Sequence, residues 1–239
     1  ELKDAAIAYA LSATANEGFD FALSPWTGGV VENGKTYYIY NVKTQTFLTG
    51  ANSWGTQASL GIDGLPFIAE GDSLYALNGV VSNGGASHYL GNAGYIDAAA
   101  CNFTLTQVAA GIYTIGWEGN YYASQAGSTI VATVQEVGPA CYWQFLTADD
   151  IYADMAKATV EAPYNVTPLL ACANFGRNNL DISKWQGEFT RGGDNTNMCA
   201  EVFSKNFDVY QTISVPNGLY KVSAQGFYRM GGYDAAADT

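Results

Sequence analysis

A threefold internal repeat constrains the fold of this chain more than any other feature. Three short segments alternate apolar and polar residues, in chain order TYYIYN, SLYALNG and GIYTIGW. Each is followed by a turn and a second short strand-like segment, TFLTG, HYLGN or NYYAS. Tyr38, Tyr75 and Tyr113 hold corresponding places, 37 and then 38 residues apart. Alternation with a period of two is typical of strands with one buried face, so each unit is predicted to be a small group of strands.

Each unit also ends on an aromatic residue, and these are Phe67, Phe103 and Trp143. Three units of about four short strands give about twelve strands, and no single unit of that size can bury its own apolar face. We therefore predict that the three units close around a common axis as a β-trefoil, within a domain over residues 25–147. A single irregular β-sandwich with accidental spacing is the alternative.

A longer repeat suggests a modular chain. The segment ATANEGFDF near the beginning matches ATVEAPYNV 145 residues later, and each follows an amphipathic helical pattern. The later pattern predicts a connector helix over residues 148–163, in which Thr147 is the N-cap, Asp150 completes a capping box and Pro163 prevents continuation. Residues 1–24 are expected to be the end of an equivalent connector from a preceding module.

The last part of the chain, residues 164–239, has a different pattern. The segments VYQTISV and LYKVSAQGFYR alternate apolar and polar residues and are joined by the turn PNG. They predict a β-hairpin with one buried face. A β-sandwich usually needs about 100 residues, so this part is expected to be an incomplete jelly-roll sandwich. The fold class predicted for the whole chain is mainly β: a β-trefoil, a connecting helix and a partial jelly roll.

The charge and the composition of the chain limit the classes of molecule that it is expected to bind. The 239 residues include 10 Lys plus Arg against 22 Asp plus Glu, a formal net charge of −12, which opposes binding to nucleic acid or to an anionic membrane. No apolar run is long enough to span a bilayer, so no membrane insertion is expected. The 17 Tyr and 5 Trp suit a neutral carbohydrate, which binds by stacking on rings and by hydrogen bonds to its hydroxyls.

Two clusters are the main candidates for sugar contacts, each built around a tryptophan in a polar turn. Amide side chains can both donate to and accept from hydroxyl groups, and an exposed indole can cover a sugar face. The candidates are Asn52, Trp54 and Gln57 in unit one, and Trp117, Asn120 and Tyr121 in unit three. The alternative is that both indoles pack into the barrel or against a neighbouring element. Unit two offers a lesser set, His88, Asn92 and Tyr95.

The four cysteines leave two states open. Cys101 with Cys141, and Cys172 with Cys199, are the pairings nearest in sequence, and four buried thiols acting as small apolar residues are the alternative. A usual zinc site is not expected, because the sequence has one histidine and no C-x-x-C pair.

Because the sequence has no usual metal-binding pattern, no cofactor is expected. A structural Ca²⁺ ion could use Asp181, Asp194 and Asp208, although surface turns also explain these residues. The sequence has no phosphate-binding glycine loop, and its one histidine, His88, has no nucleophile motif nearby. We therefore predict no enzymatic activity for these residues.

Two stretches resemble known families. The stretch YYIYNVKTQTFLTGANSWGTQASL, with its two weaker echoes and the closing YWQF, resembles the ricin-type β-trefoil repeat of secreted proteins from Bacteroidetes-type gut bacteria. The stretch from ANFGRNNLDISKWQGEF through VYQTISVPNGLYKV to GFYR is similar to galactose-binding-like jelly-roll modules of the same proteins. The family's Gln-x-Trp core motif is reduced here to Trp143-Gln144-Phe145, and no unit has the full Asp–aromatic–Asn set.

The resemblance implies non-catalytic, lectin-like modules of a secreted or cell-surface protein, with a glycan or glycoprotein as partner. Other domains of the same chain are further partners under this hypothesis. The alternative is a structural or adhesion spacer that binds protein or positions a catalytic domain lying elsewhere in a longer parent protein.

Overall fold

The computed structural model describes residues 30–51, 55–77, 88–173, 175, 182–193 and 198–226. The connector expected within residues 1–24 therefore lies outside the described residues. Within the described residues the secondary structure consists of strands, one α-helix and two short 3-10 helices at Pro139–Cys141 and Thr167–Leu169. The strands of the repeat region are β1 Thr36–Asn41, β2 Thr46–Ala51, β3 Gln57–Gly61, β4 Pro66–Glu70, β5 Ser73–Ala76, β6 Thr104–Ala109, β7 Ile112–Trp117, β8 Asn120–Gln125, β9 Ser128–Val134 and β10 Trp143–Leu146. The chain is mainly β, as predicted.

All ten strands belong to one antiparallel sheet that closes on itself. The order β10-β7-β8-β9-β3-β2-β1 forms a ring because β1 also pairs with β10, for example Ile39 opposite Phe145. Strands β4 and β5 extend the sheet from β1, and β6 pairs with β7. Closure leaves the ring without free edges and gives its inner face to the core.

In the residues described for it, which leave out 78–87, the second unit has fewer regular strands than the predicted four. Its hairpin consists of single bridges, Tyr75 opposite Tyr89 and Tyr89 opposite Ala98, whereas units one and three have the full hairpins β2–β3 and β8–β9. Gly91 and Gly94 lie in this stretch, and glycine is unfavourable in a strand interior because it has no side chain to pack.

Tyr38, Tyr75 and Tyr113 do not occupy equivalent places in the three units, so the correspondence predicted from their spacing is wrong. Tyr38 and Tyr75 are half-buried and face outward, whereas Tyr113 is 3% exposed and faces the core. The pairs Tyr37–Phe67 and Tyr113–Trp143 show that Tyr113 corresponds to Tyr37. The second spacing is one residue longer than the first, and a shift of one residue moves a side chain to the other face of a strand.

The core is built around the aromatic residues that end the units. Phe67, Phe103 and Trp143 are all buried in one cluster. Phe145 joins two strands of the ring by edge-to-face contacts with Tyr37 and Tyr113, at centroid distances of 5.9 and 5.7 Å. Each fully buried side chain of this kind contributes roughly 1.5–3 kcal/mol relative to an exposed one.

The helix α1, Ala148–Met155, begins as the sequence predicts. Thr147 Oγ1 accepts a hydrogen bond from the amide of Asp150 at 3.2 Å, and the Asp150 carboxylate accepts from the amide of Thr147 at 2.8 Å, so the capping box is confirmed. Ile151 buries this helix against Phe47 and Leu146 of the sheet.

The helix ends at Met155, well before the predicted end at residue 163. The amides of Lys157 and Ala158 bond to carbonyls three residues back, which closes the last turn tightly. The next residues include Thr159 and Val160, whose β-branched side chains disfavour helix continuation. Among the described residues, no helix is long and apolar enough to cross a membrane.

The last part of the described chain contains one small sheet, made of β11 Thr190–Gly193 and β12 Met198–Glu201. The hairpin predicted around the PNG turn is not formed within residues 202–226, so the prediction is wrong for this stretch. Leu219 and Val222 are 86% and 90% exposed, because no apolar layer among the described residues packs against them. Alternation creates an apolar face, but a stable strand pair also needs a surface that covers it.

The segment 209–215 is held in place mainly by hydrogen bonds of side chains, and not by the backbone pairing of a β-sheet. Gln211 accepts a hydrogen bond from the amide of Ala171 at 2.9 Å and donates to its carbonyl at 3.0 Å. Tyr152 of α1 donates to the carbonyl of Ser214 at 3.1 Å. One isolated bridge joins Gln186 to Tyr210.

Candidate functional site

Of the first predicted cluster, only Gln57 can be placed, since Asn52 and Trp54 lie outside the described residues. Gln57 begins β3, pairs with Ala51 across the hairpin and forms an isolated bridge with Tyr95 of unit two. Tyr95 is 45% exposed. The structure therefore puts a predicted amide beside an exposed aromatic residue from another unit.

The second predicted cluster is not an open indole site. Trp117 is 8% exposed, with its ring 5.7 Å from that of Phe103 and 4.7 Å from that of Tyr122. The sugar contact expected of Trp117 is therefore wrong and the alternative, packing into the barrel, holds, because Phe103, just before β6, and Tyr122 of β8 cover the ring. A buried indole presents no face on which a sugar can stack.

Asn120 and Tyr121 follow Trp117 at the surface and are half-buried. The turn between β7 and β8 uses Glu118 and Gly119, both with positive φ (45° and 77°), and Asn120 Nδ2 donates to the Glu118 carbonyl at 3.3 Å. The ring of Tyr121 lies over Gly116, 2.8 Å from where a Cβ would be. This ring therefore packs closely against the backbone of β7.

A different group of side chains forms an outward-facing aromatic surface in unit two. Ile68 lies opposite Tyr75, Tyr75 opposite Tyr89, and Tyr89 opposite Ala98. Residues directly opposite on antiparallel strands point to the same side of a sheet. All four are half-buried, whereas their neighbours Leu74, Ala76 and Leu90 face the core.

We use the name tyrosine face for the group Glu70, Tyr75, His88 and Tyr89. The ring of Tyr75 makes edge-to-face contacts with Tyr89 at 5.2 Å and with His88 at 5.8 Å. Such contacts are worth about 0.5–1.5 kcal/mol each and hold the rings in one arrangement. The tyrosine face is therefore a fixed aromatic surface on the outer side of the sheet.

A carboxylate lies at the margin of this surface. Tyr89 Oη donates a hydrogen bond of 2.7 Å to Glu70 Oε2, and this bond raises the pKa of the Tyr89 phenol. Glu70 is exposed, and within the described part of the chain the ion pairs are Lys35–Glu32, Lys157–Asp154 and Lys205–Glu188, none of which includes it. A carboxylate has about four acceptor positions, so it can accept from a ligand as well as from Tyr89.

The corresponding outer surface of unit one is closed. Tyr38 and Tyr40 pack in a cluster with Phe47 and with Ile151 of α1. Burial raises the pKa of both phenols. The helix and the segment after it thus cover in unit one a surface that, at the tyrosine face of unit two, no described helix covers.

The cysteines and acidic residues provide no further site in the described part of the chain. None of the four cysteines, Cys101, Cys141, Cys172 and Cys199, forms a disulfide, so neither suggested pairing occurs. Burial raises the pKa of the Cys101 and Cys141 thiols. No group of metal-ligating side chains is found in the described ranges; Asp208 is exposed there, and Asp181 and Asp194 lie outside them.

The sequence interpretation included His88 and Tyr95 but missed Glu70, Tyr75 and Tyr89 as a group. One signal was available: in SLYALNG, Tyr75 stands between Leu74 and Ala76, two residues that suit a core, so the period of two puts its ring outside. Tyr89 and Glu70 lie 19 residues apart, and no spacing rule predicts their contact.

Comparison with known proteins finds one distant structural likeness. The sequence matches no protein-family model and no curated protein. Among solved structures, the chain is similar to a ricin B-like lectin of Macrolepiota procera, solved in complex with lactose, at 15% sequence identity and a TM-score of 0.35. The match covers 50% of this chain and 99% of the lectin chain. These values describe a distant likeness.

Proposed function

We propose that this chain is a non-catalytic carbohydrate-binding protein, in which residues 36–146 are a β-trefoil of lectin type. The proposal depends above all on the tyrosine face, an outward-facing group of aromatic rings with a carboxylate at its margin. The closed ring of strands and the three hairpin elements are consistent with a trefoil.

The chemistry of the tyrosine face suits a sugar. The C–H groups on one side of a pyranose ring are apolar and stack on an aromatic ring, while its hydroxyls need acceptors and donors at the margin. Tyr75 and Tyr89 supply rings, and Glu70 and the Tyr89 hydroxyl supply polar atoms. A shallow surface of this kind binds a single sugar weakly, with a Kd of about 0.1–1 mM.

A second surface of the same proposal surrounds Gln57 and Tyr95. The backbone bridge between them holds an exposed ring beside an amide, and Asn52 and Trp54 precede Gln57 closely in the sequence. Asn120 and Tyr121 are retained as lesser candidates in unit three. We propose no cofactor and a secreted or cell-surface location, where several weak sites in one chain would bind a polymeric glycan by avidity.

The direct experiment is a sugar titration followed by NMR or calorimetry, with neutral monosaccharides and short oligosaccharides at up to about 10 mM. We expect binding in the wild type and its loss in Tyr89→Ala. Tyr210→Ala is the control, because Tyr210 is a tyrosine that is 44% exposed but lies in the last part of the chain, away from the tyrosine face. Absence of binding to every neutral sugar, or equal loss in both variants, would contradict the proposal.

A structural or adhesion role is the second candidate, favoured by two observations. Trp117 is buried, as a packing role requires, and Phe203, Phe207, Leu219 and Val222 are exposed in the last described segment. Large exposed apolar side chains often mark a surface that another protein or domain covers. Under this alternative the chain holds neighbouring domains in place, and sugars do not bind to the tyrosine face.

A further inference from the structure

We infer that the tyrosine face selects a sugar that carries a free ammonium group, such as a 2-amino-2-deoxyhexose, over neutral sugars. This inference rests on the proposed carbohydrate-binding function and specifies its ligand class. It starts from the charge at the margin of the face and from the rings beside it.

The charge at this margin is negative and exposed. Glu70 and Asp72 are both exposed and are separated only by Gly71 in the turn between β4 and β5. Neither carboxylate belongs to the three ion pairs found among the described residues. The formal net charge of −12 adds a background that attracts cations.

The hydrogen bond from Tyr89 to Glu70 fixes the carboxylate beside the rings. A side chain that is already held in place loses less conformational freedom when it binds a ligand. An ammonium group that bonds to Glu70 lies close to Tyr89, whose π-face attracts a cation. The same position lets the sugar ring extend along the outer side of the sheet, toward the small side chain of Ala98.

Acetylation of the amine removes its charge but keeps the sugar ring and its other hydroxyls. The set of D-glucosamine, N-acetyl-D-glucosamine and D-glucose therefore separates recognition of the charge from recognition of the ring. We expect glucosamine, in a buffer that keeps its amine protonated, to bind about fivefold more tightly than glucose, the factor for an exposed ion pair of ~1 kcal/mol. N-acetyl-D-glucosamine should bind about as weakly as glucose.

Two changes test the role of Glu70. In Glu70→Gln, which keeps the shape of the side chain but removes its charge, the ratio of glucosamine affinity to glucose affinity should fall to about one, whatever the change in the affinity for glucose itself. Raising the salt concentration to about 0.5 M should reduce the preference in the wild type and leave it unchanged in the variant. Glu188→Gln is the matched control, because Glu188 is exposed elsewhere, in an ion pair with Lys205.

Each outcome is informative. Equal binding of the three sugars by the wild type would overturn this inference and leave the proposed function standing. If Glu70→Gln still prefers glucosamine, the inference would also be overturned, since a residue other than Glu70 would then bind the ammonium group. Absence of binding to all three sugars, in a protein shown to be folded by its near-UV circular dichroism, would overturn both proposals.

Discussion

The hydroxyl of Tyr122 donates a hydrogen bond to the carbonyl oxygen of Gly91, a residue 31 positions earlier in the chain. The same hydroxyl accepts from the amide of Gly94 at 3.0 Å, so one side chain of unit three satisfies the turn of unit two. The backbone carbonyl of Tyr122 accepts in turn from the indole nitrogen of Trp143 at 3.1 Å. These bonds lie in the buried region where hairpins of two units meet.

Tyr122→Phe should destabilise the fold by about 1 kcal/mol, because the buried carbonyl of Gly91 loses a donor and the amide of Gly94 keeps only its 3.1 Å bond to that same carbonyl. Urea denaturation measures the change in the free energy of unfolding. Tyr121→Phe removes the hydroxyl of the neighbouring, half-buried ring and should change it by less than about 0.5 kcal/mol. Equal effects of the two substitutions would contradict the assigned role of Tyr122.

Alkaline pH should weaken the fold through its buried phenols. Burial raises the pKa of Tyr40, Tyr122 and Tyr164 in the folded protein. Above the ordinary tyrosine pKa of about 10, the unfolded chain releases these protons and the folded chain keeps them, so stability falls as the pH rises. Below that pH the contribution is fully present.

Urea denaturation at pH values from about 8 to 11, with tyrosinate absorbance in parallel, measures this loss. Tyr40→Phe should flatten the pH dependence, because a ring without a hydroxyl cannot ionise. A free energy of unfolding that stays constant across this range would show that the buried phenols ionise as easily as exposed ones.

Local sequence rules predicted the parts of the fold that depend on neighbouring residues. Alternation predicted β1, β5 and β7, and the aromatic residues that end the units are indeed buried. The capping box of Thr147 and Asp150 needs only four consecutive residues, and it forms as predicted. In each case the physical cause lies within one turn or one strand.

Contacts between distant residues were not predictable in this way. The polar surroundings of Trp117 suggested an exposed ring, but Phe103, which precedes β6, and Tyr122 of β8 pack against the ring and bury it. The face of Tyr113 depends on one additional residue in the second spacing. The tyrosine face forms only when the bridge between Tyr75 and Tyr89 joins two strands, which no local pattern specifies.

The N-cap of α1 should be worth about 1 kcal/mol. Thr147→Ala removes the oxygen that accepts from the amide of Asp150, and the partly buried helix start has no simple replacement for it. Thr147→Ser keeps that oxygen and is the matched control. Thermal unfolding compares the two variants, and a Thr147→Ser protein as unstable as Thr147→Ala would show that the lost methyl group, and not the cap, causes the effect.

Gly50 should tolerate no larger side chain, because two parts of the chain approach it closely. A Cβ at this position would collide with the carbonyl oxygen of Gly55 and lie 2.7 Å from Cδ1 of Ile96. Backbone atoms cannot move aside as a flexible side chain can, so Gly50→Ala should destabilise the fold by about 1–3 kcal/mol or more. Gly138→Ala is the matched control: φ is −150° there and nothing lies within 4 Å of the added carbon, so the free energy of unfolding should change by less than about 0.5 kcal/mol. Denaturation of the two variants measures their free energies of unfolding. A Gly50→Ala protein as stable as Gly138→Ala would contradict the close approach of Gly55 and Ile96 to Gly50.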